Sequence, residues 1–430
     1  MREEHRGACL VLDGGDSIHG TPEALFTEGA VVPPLLNALG IEAAAPGNWE
    51  YGYGWDALKA RIGESDYPWL AANAAVEDES PFESRRVFEV GDHRVGVVGL
   101  SSDLVGKTMS KKLAPDATFE DPVETLNEEA GRLRSEGAEV IVALSHLGLP
   151  QEWAIAEEAE GVDVILGAHT HDRLEHPVYA GDSTPIVQAG CHGSFLGKLV
   201  LEVDASGVSI GGYELIEVGE KIAGDPEMDT RVREAAEPWR GELEENVGKT
   251  EVLLHRDEAL ESPMDDLVTE AYRTVAESEI SLQFGWRFGA PVPPGPVRLR
   301  DVYRMVPQKL PLRRGTVRGA ALREYLESNL ERVFSRDYLY QAGGHVQRIC
   351  GLTVSFRVQN PPGARIRGMA VNGEPLREER EYSVAYAGGL PKDLLEGTEE
   401  VEPVAQDALV SYLGSHGPWR GRRGPGYTPV

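Results

Sequence analysis

This sequence predicts an α/β fold in two parts, and three observations carry the prediction. Residues 8 to about 215 alternate short apolar runs with stretches of helical spacing; a charged stretch of helical period follows at 224–247; a second unit mixing helices and strands occupies 249–416. Such alternation builds a sheet covered by helices, with ligand sites beyond the carboxyl ends of the strands.

Taken in order, the apolar runs 8–13, 41–45, 69–74, 95–100, 140–144 and 162–166 read as buried strands. Between them, 30–39, 55–62, 122–135 and 151–160 repeat apolar residues at helical spacing. The runs 185–189, 196–203 and 208–214 then turn the pattern to β, as a second sheet packed on the first would require. Val232, Ala235, Trp239 and Leu243 share one face of an otherwise charged helix, which reads as a linker. Two further helices are expected at 264–277 and 320–332. The domain limits expected are therefore 1–218, a linker at 219–248, a second domain at 249–416, and a mobile Gly-, Pro- and Arg-rich tail at 417–430.

Composition narrows the partners. The formal net charge of -29 argues against a nucleic-acid polymer or an anionic membrane surface. No apolar run reaches the ~18 residues of a spanning helix. Acidic excess with Arg far outnumbering Lys suits a salt-rich, halophilic setting, where self-repulsion is screened. The three cysteines lie far apart and form no disulfide framework. Cys9 and Cys350 sit in core-like runs, and Cys191 reads as a turn residue. The opening stretch MREEHRG is charged, unlike a leader, and reads as the end of a helix feeding a strand. This predicts that a strand and most of a helix, roughly 40–50 residues, precede it.

Four short motifs carry the chemistry: GGDSIHG at 14–20, GNWEY at 47–51, SHLG at 145–148 and GAHTH at 167–171. Each follows a strand-like run. Together they supply Asp16, Asn48, His146, His169 and His171, an oxygen-and-imidazole set that suits Mn, Fe or Zn. If the segment 169–171 is extended, His169 and His171 face one cavity while Thr170 points away. His19, His176 and His192 lie nearby and are expected to line the site or to be incidental.

These motifs resemble those of the calcineurin-like metallophosphoesterases, and the chain apart from its tail is similar to the two-domain 5'-nucleotidase family. The resemblance implies a four-layer αββα metallophosphoesterase domain followed by a smaller α+β C-terminal domain. It also implies two divalent metal ions, with Asp16 bridging, Asn48, His146 and His169 completing one site, and His171 belonging to the other. The family's DxH motif is missing, so one ion is expected in the chain as it stands. Trp49 occupies the position of the family's usual catalytic His, and Trp has no acid–base function. One branch, the SoxB sulfate thiohydrolases, resembles this chain there: GHWEFTYG against GNWEYGYG. FGWRFGAPVPPG at 284–295 and YLYQAGGHVQRICG at 338–351 resemble that branch as well.

The substrate-binding residues implied are Trp49, Arg287, Gly343, Gly344 and Arg348; a guanidinium clamps a tetrahedral oxyanion with paired hydrogen bonds. Nucleotidases stack the base between two aromatic residues, whereas here His345 follows the GG pair and the loop around Gly388 shows no clear equivalent. The expected function is metal-dependent hydrolysis, a metal-bound hydroxide attacking the phosphorus or sulfur of a tetrahedral oxyanion, as in thiosulfonate or sulfate-ester cleavage. A 5'-nucleotidase or related phosphoesterase is the alternative, and a non-catalytic metal-binding remnant is the other. The partner expected is a small anionic substrate or a thiosulfonate-carrying protein.

Overall fold

The computed structural model describes residues 5, 7–76, 80–105, 117–181, 184–256, 258–287, 289–337, 340–341, 344–391, 393–422 and 424–430. The chain divides into two compact units, residues 1–19 with 23–236, and residues 20–22 with 237–430.

The first unit is built on a six-stranded sheet. Its centre is parallel: His93–Leu100, Val140–Ser145, Val164–Gly167 and Pro185–Gln188 lie side by side in that order. Arg85–Val90 and Val178–Tyr179 pair antiparallel at the two edges. Every residue of Val140–Ser145 is buried, as a strand covered on both faces must be. Side-chain alternation sends Ile141 and Ala143 toward the helices Pro122–Ser135 and Leu149–Glu158, where they meet Leu126, Leu133 and Ile155. Val140, Val142 and Leu144 point the other way, into a core with Ala43, Leu70, Leu199 and Leu201. That second core lies between the large sheet and a further β layer. The layer comprises the parallel pair Leu12–Asp13 and Ala43–Ala44 and the long hairpin Phe195–Asp204 with Gly207–Glu217. Trp69, Tyr51, Leu58 and Leu36 pack on its outer side. The four-layer αββα order follows from these three cores. Asp121 starts the helix at Pro122 as the sequence pattern suggests, its carboxylate accepting from the Val123 and Glu124 amides at 2.9 and 3.0 Å.

The second unit holds a five-stranded sheet, ordered Arg348–Cys350, Ile280–Gln283, Glu381–Tyr386, Leu312–Arg318 and Glu396–Val401. A four-stranded sheet pairs Leu352–Phe356 with Ile366–Val371. The helices Pro263–Val275 and Gly319–Val333 form where the periodicity predicts them.

Two expectations need correction. The linker helix is shorter, Pro226–Ala236 with brief helical turns to Leu243, because Asn246–Thr250 already pairs as a strand with Gly295–Arg298. Residues 417–430 do not form a loose tail. Trp419 and Tyr427 are buried, and Tyr427–Pro429 adds a parallel strand to Leu352–Phe356. Two aromatic anchors outweigh the Gly and Pro content, which supplies turns between them.

Candidate functional site

Strand ends deliver the metal-type residues. Asp16 and Asn48 follow the parallel pair Leu12–Asp13 and Ala43–Ala44; His146 and His169 follow the parallel neighbours Val140–Ser145 and Val164–Gly167. Both pairs present their carboxyl ends, where such sheets collect ligands. Ligand atoms of Asp16, His146 and His169 lie within 4.8 Å of one another.

Two glycines permit the approach. A Cβ on Gly15, at φ 90°, would meet the Ala45 carbonyl oxygen at 2.2 Å; one on Gly47 would meet Asp16 Oδ1 at 2.2 Å. One buried carboxylate then ties the two loops together. Glu50 accepts from the Asp16 and Gly47 amides through Oε2, at 2.8 and 2.7 Å, and from the Ser17 amide through Oε1 at 2.7 Å. Burial, and next the charge of Asp16, push the Glu50 pKa up to about 7. Asp16 Oδ1 in turn accepts from the Trp49 amide at 2.7 Å.

The donor set fits a cation. His146 is 1% exposed, and its Nδ1 bonds the Gly14 carbonyl oxygen, which aims Nε2 at the group. Nε2 stands 3.2 Å from Asp16 Oδ2 without hydrogen-bond alignment. Asn48 Oδ1 is shielded from solvent and has no hydrogen-bond partner among the described residues. Burial would lower the His146 pKa, but Asp16 outweighs it and holds the ring up at about 9. Burial likewise works against the Asp16 carboxylate, yet His146, His169 and the Trp49 amide hold it well below the usual range.

His171, which the resemblance gives to the other ion, is not among the residues whose ligand atoms lie within 4.8 Å of one another there. The 169–171 segment is not extended: His169 and His171 both adopt left-handed backbone, φ 71° and 65°, and the Thr170 amide bonds back to Ala168 O at 2.9 Å. This γ-turn breaks the alternation assumed for the pair. His171 is grouped instead with Cys191 and His192. His19 stacks on Trp49, ring centroids 4.3 Å apart, and burial pulls its pKa down to about 4. His176 is exposed.

In the second unit Arg287 and Arg348 both act electrostatically on His345, whose pKa falls to about 4 mainly through burial. Arg348 is 3% exposed; its Nη2 donates to Glu258 O at 2.9 Å and its Nε lies 3.0 Å from Asp265 Oδ2. Its guanidinium is thus only partly engaged within the unit, since Nε and Nη1 are buried without a hydrogen bond among the described residues. Gly344 is exposed, and Gly343 lies outside the described residues. Phe284 was missed by sequence reasoning. Its ring packs so closely on Gly389 that a Cβ there would lie 2.2 Å from Phe284 Cδ1, and it meets Trp286 at 4.8 Å. An aromatic residue thus does border the Gly388 loop.

Comparison with known proteins gives these features a context. Residues 245–391 match the 5'-nucleotidase, C-terminal domain. The 5'-nucleotidase of Bos taurus is 25% identical over 457 residues, covering 93% of this chain and 76% of that protein. The sulfate thiohydrolase SoxB of Thermus thermophilus, solved in complex with glycerol, superposes with a TM-score of 0.90 at 28% identity, covering 98% of this chain and 79% of the other. A 5'-nucleotidase precursor of Thermus thermophilus shares the fold, with a TM-score of 0.88 at 24% identity over 100% of this chain and 91% of the other. Over nearly its whole length, then, the chain is similar to 5'-nucleotidases and to the sulfate thiohydrolase SoxB, all of them enzymes, and its residues 245–391 match the C-terminal domain of the 5'-nucleotidases.

Proposed function

We propose that this enzyme hydrolyses small tetrahedral oxyanion esters in the manner of the thiohydrolase branch, cleaving a thiosulfonate or sulfate ester. Asp16, Asn48, His146 and His169 would hold a divalent cation, with Mn, Zn and Fe all compatible with oxygen and imidazole donors. When bound, such a cation supplies Lewis acidity and a lowered pKa for water. Glu50 fixes both ligand loops in place. In the second unit Arg287 is the residue to grip the oxyanion, with His345 beside it kept neutral by burial.

The observation that carries the reading is Trp49. Its amide is spent on Asp16 and its ring is stacked on His19, so the position offers an apolar wall and no proton donor to a leaving group. A substrate with a good leaving group tolerates that; an alkyl phosphomonoester does not. Phe284 beside the Gly388 loop favours the second reading, a 5'-nucleotidase, because it supplies one face for base stacking.

Steady-state kinetics with Mn2+ on AMP, p-nitrophenyl phosphate and a thiosulfonate-carrying peptide decides between them. The first reading expects AMP to hold no advantage over the other two. A kcat/KM for AMP far above both would establish the nucleotidase reading, and Phe284→Ala should then cost roughly tenfold or more on AMP alone.

A further inference from the structure

We propose that Gln188 and Thr170 are positioning residues for the metal centre: together they hold the turn 168–172 in the one backbone form that aims His169 and His171. This role rests on the metal-binding part of the proposed function and not on which ester is cleaved.

The turn needs holding. His169 and His171 keep left-handed backbone, φ 71° and 65°, although neither is glycine. Such a conformation has a cost and persists where the surroundings over-determine it. It also departs from strand alternation, so Val164–Gly167 by itself does not dictate where the two rings go.

Gln188 supplies the constraint from the neighbouring strand. It ends Pro185–Gln188, lies opposite Gly167 in the parallel register, and is 2% exposed. Its Nε2 donates to the Ala168 carbonyl oxygen at 2.9 Å, while its Oε1 accepts from the Thr170 hydroxyl at 3.2 Å and from the Asp172 amide. One side chain thus grips the residue before, the residue between and the residue after the two histidines. A carboxylate in its place would set an oxygen against Ala168 O, and an apolar side chain would strand all three partners.

Thr170 passes the constraint to the other imidazole loop. Its hydroxyl accepts at 3.1 Å from the amide of Leu149, the first residue of the helix that follows His146. Glu152, fully buried on that helix, closes the arrangement, its Oε1 accepting from the Gly148 and Ala168 amides at 3.2 and 3.3 Å. Glu50 ties the loops of Asp16 and Asn48; Gln188 and Thr170 tie those of His146 and His169.

Competition between the metal-free full chain and a chromogenic chelator for Co2+ is the test, with urea unfolding of each variant alongside. Thr170→Val keeps the shape of the side chain and loses the hydroxyl; it should weaken Co2+ binding by about tenfold, and Gln188→Met by at least as much. Thr170→Ser, which restores the hydroxyl, should bind within about twofold of the parent. A role confined to stability would lower the unfolding midpoint and leave affinity where it was, so unchanged affinity in Thr170→Val or in a folded Gln188→Met would overturn the proposal. Equal losses in the Val and Ser variants would overturn it too, because the hydroxyl bond would not be the cause. If Gln188→Met does not fold, the half-buried Thr170 pair still decides. A parent chain that takes up no Co2+ would overturn the metal reading and this role with it, a failure told apart from the others by being seen before any substitution is made.

Discussion

Asp16 and Asp265 are both shielded carboxylates among nitrogen-bearing side chains, one in each unit, and their neighbours treat them differently. Asp265 is 1% exposed, and Arg256 Nε, Arg348 Nε and Ser262 Oγ close on it at 2.8, 3.0 and 2.7 Å. Burial alone would raise its pKa, but the two guanidinium charges hold it below the usual range. Charge there is compensated from within the fold. Around Asp16 the donors converge without satisfying one another: Asn48 Oδ1 is buried without a hydrogen bond, and His146 Nε2 faces a carboxylate out of alignment. Both clusters hold a cationic nitrogen buried without a hydrogen bond among the described residues, Arg348 Nε in one and His146 Nε2 in the other, so the contrast lies in the two guanidinium charges that close on Asp265 and in the neutral Asn48 oxygen left over beside Asp16.

The largest effect that would test the contrast is on stability. Asp265→Ala leaves Arg256 and Arg348 buried without a counter-charge and should cost about 3–5 kcal/mol by urea denaturation, with metal content per chain unchanged. A loss below ~1 kcal/mol would move that cluster toward the ligand-binding kind. His146→Ala should do the reverse. Cooperative unfolding should persist while metal content and kcat/KM fall, the latter by more than the ~10–100-fold typical of a residue that only supports a ligand. Glu50→Gln sits between the two. Its amide NH2 must face backbone amides that now donate to a carboxylate, so metal affinity measured by competition with a chelator should fall ~10–100-fold. Full retention of affinity would show that the loops hold without the clamp.

The smallest effect concerns Asp266, whose pKa is raised to about 6 by burial against the opposing charge of Arg422. A raised folded value means the protonated form is favoured in the fold. Its contribution to stability is complete below the ordinary carboxylate value near ~4 and is lost as pH climbs through about 6. Asp266→Asn removes that dependence, so the Tm of the variant relative to the parent should rise between pH 4 and pH 7. At ~2–4 °C per kcal/mol for a domain of this size, a change of a few degrees is expected. A relative Tm that falls over this interval would mean that the Arg422 ion pair dominates.

The residues of the proposed metal centre are legible in the sequence because their information is local. Asp16, Asn48, His146 and His169 each sit a few residues beyond an apolar run, and glycine marks each turn. Local pattern also located the helices Pro263–Val275 and Gly319–Val333. What escaped was carried by backbone sign or by distance along the chain. Nothing in the letters HTH announces left-handed φ at His169 and His171, so the segment reads as extended. Arg348 reads as a free guanidinium until Asp265 is found against it. The last residues look loose by composition, yet Tyr427 donates its hydroxyl to Gln347 O at 2.9 Å across a span of 80 residues.

The Glu50 clamp bears on how the proposed metal centre acquires its ion. One carboxylate answers amides from both ligand loops, so those loops share a single position rather than drifting independently. The entropy of assembling Asp16 beside Asn48 is spent during folding, not at the moment of loading. Loading is then a matter of shedding water and a proton, and its rate should follow ion concentration in a single phase, with no slower rearrangement behind it.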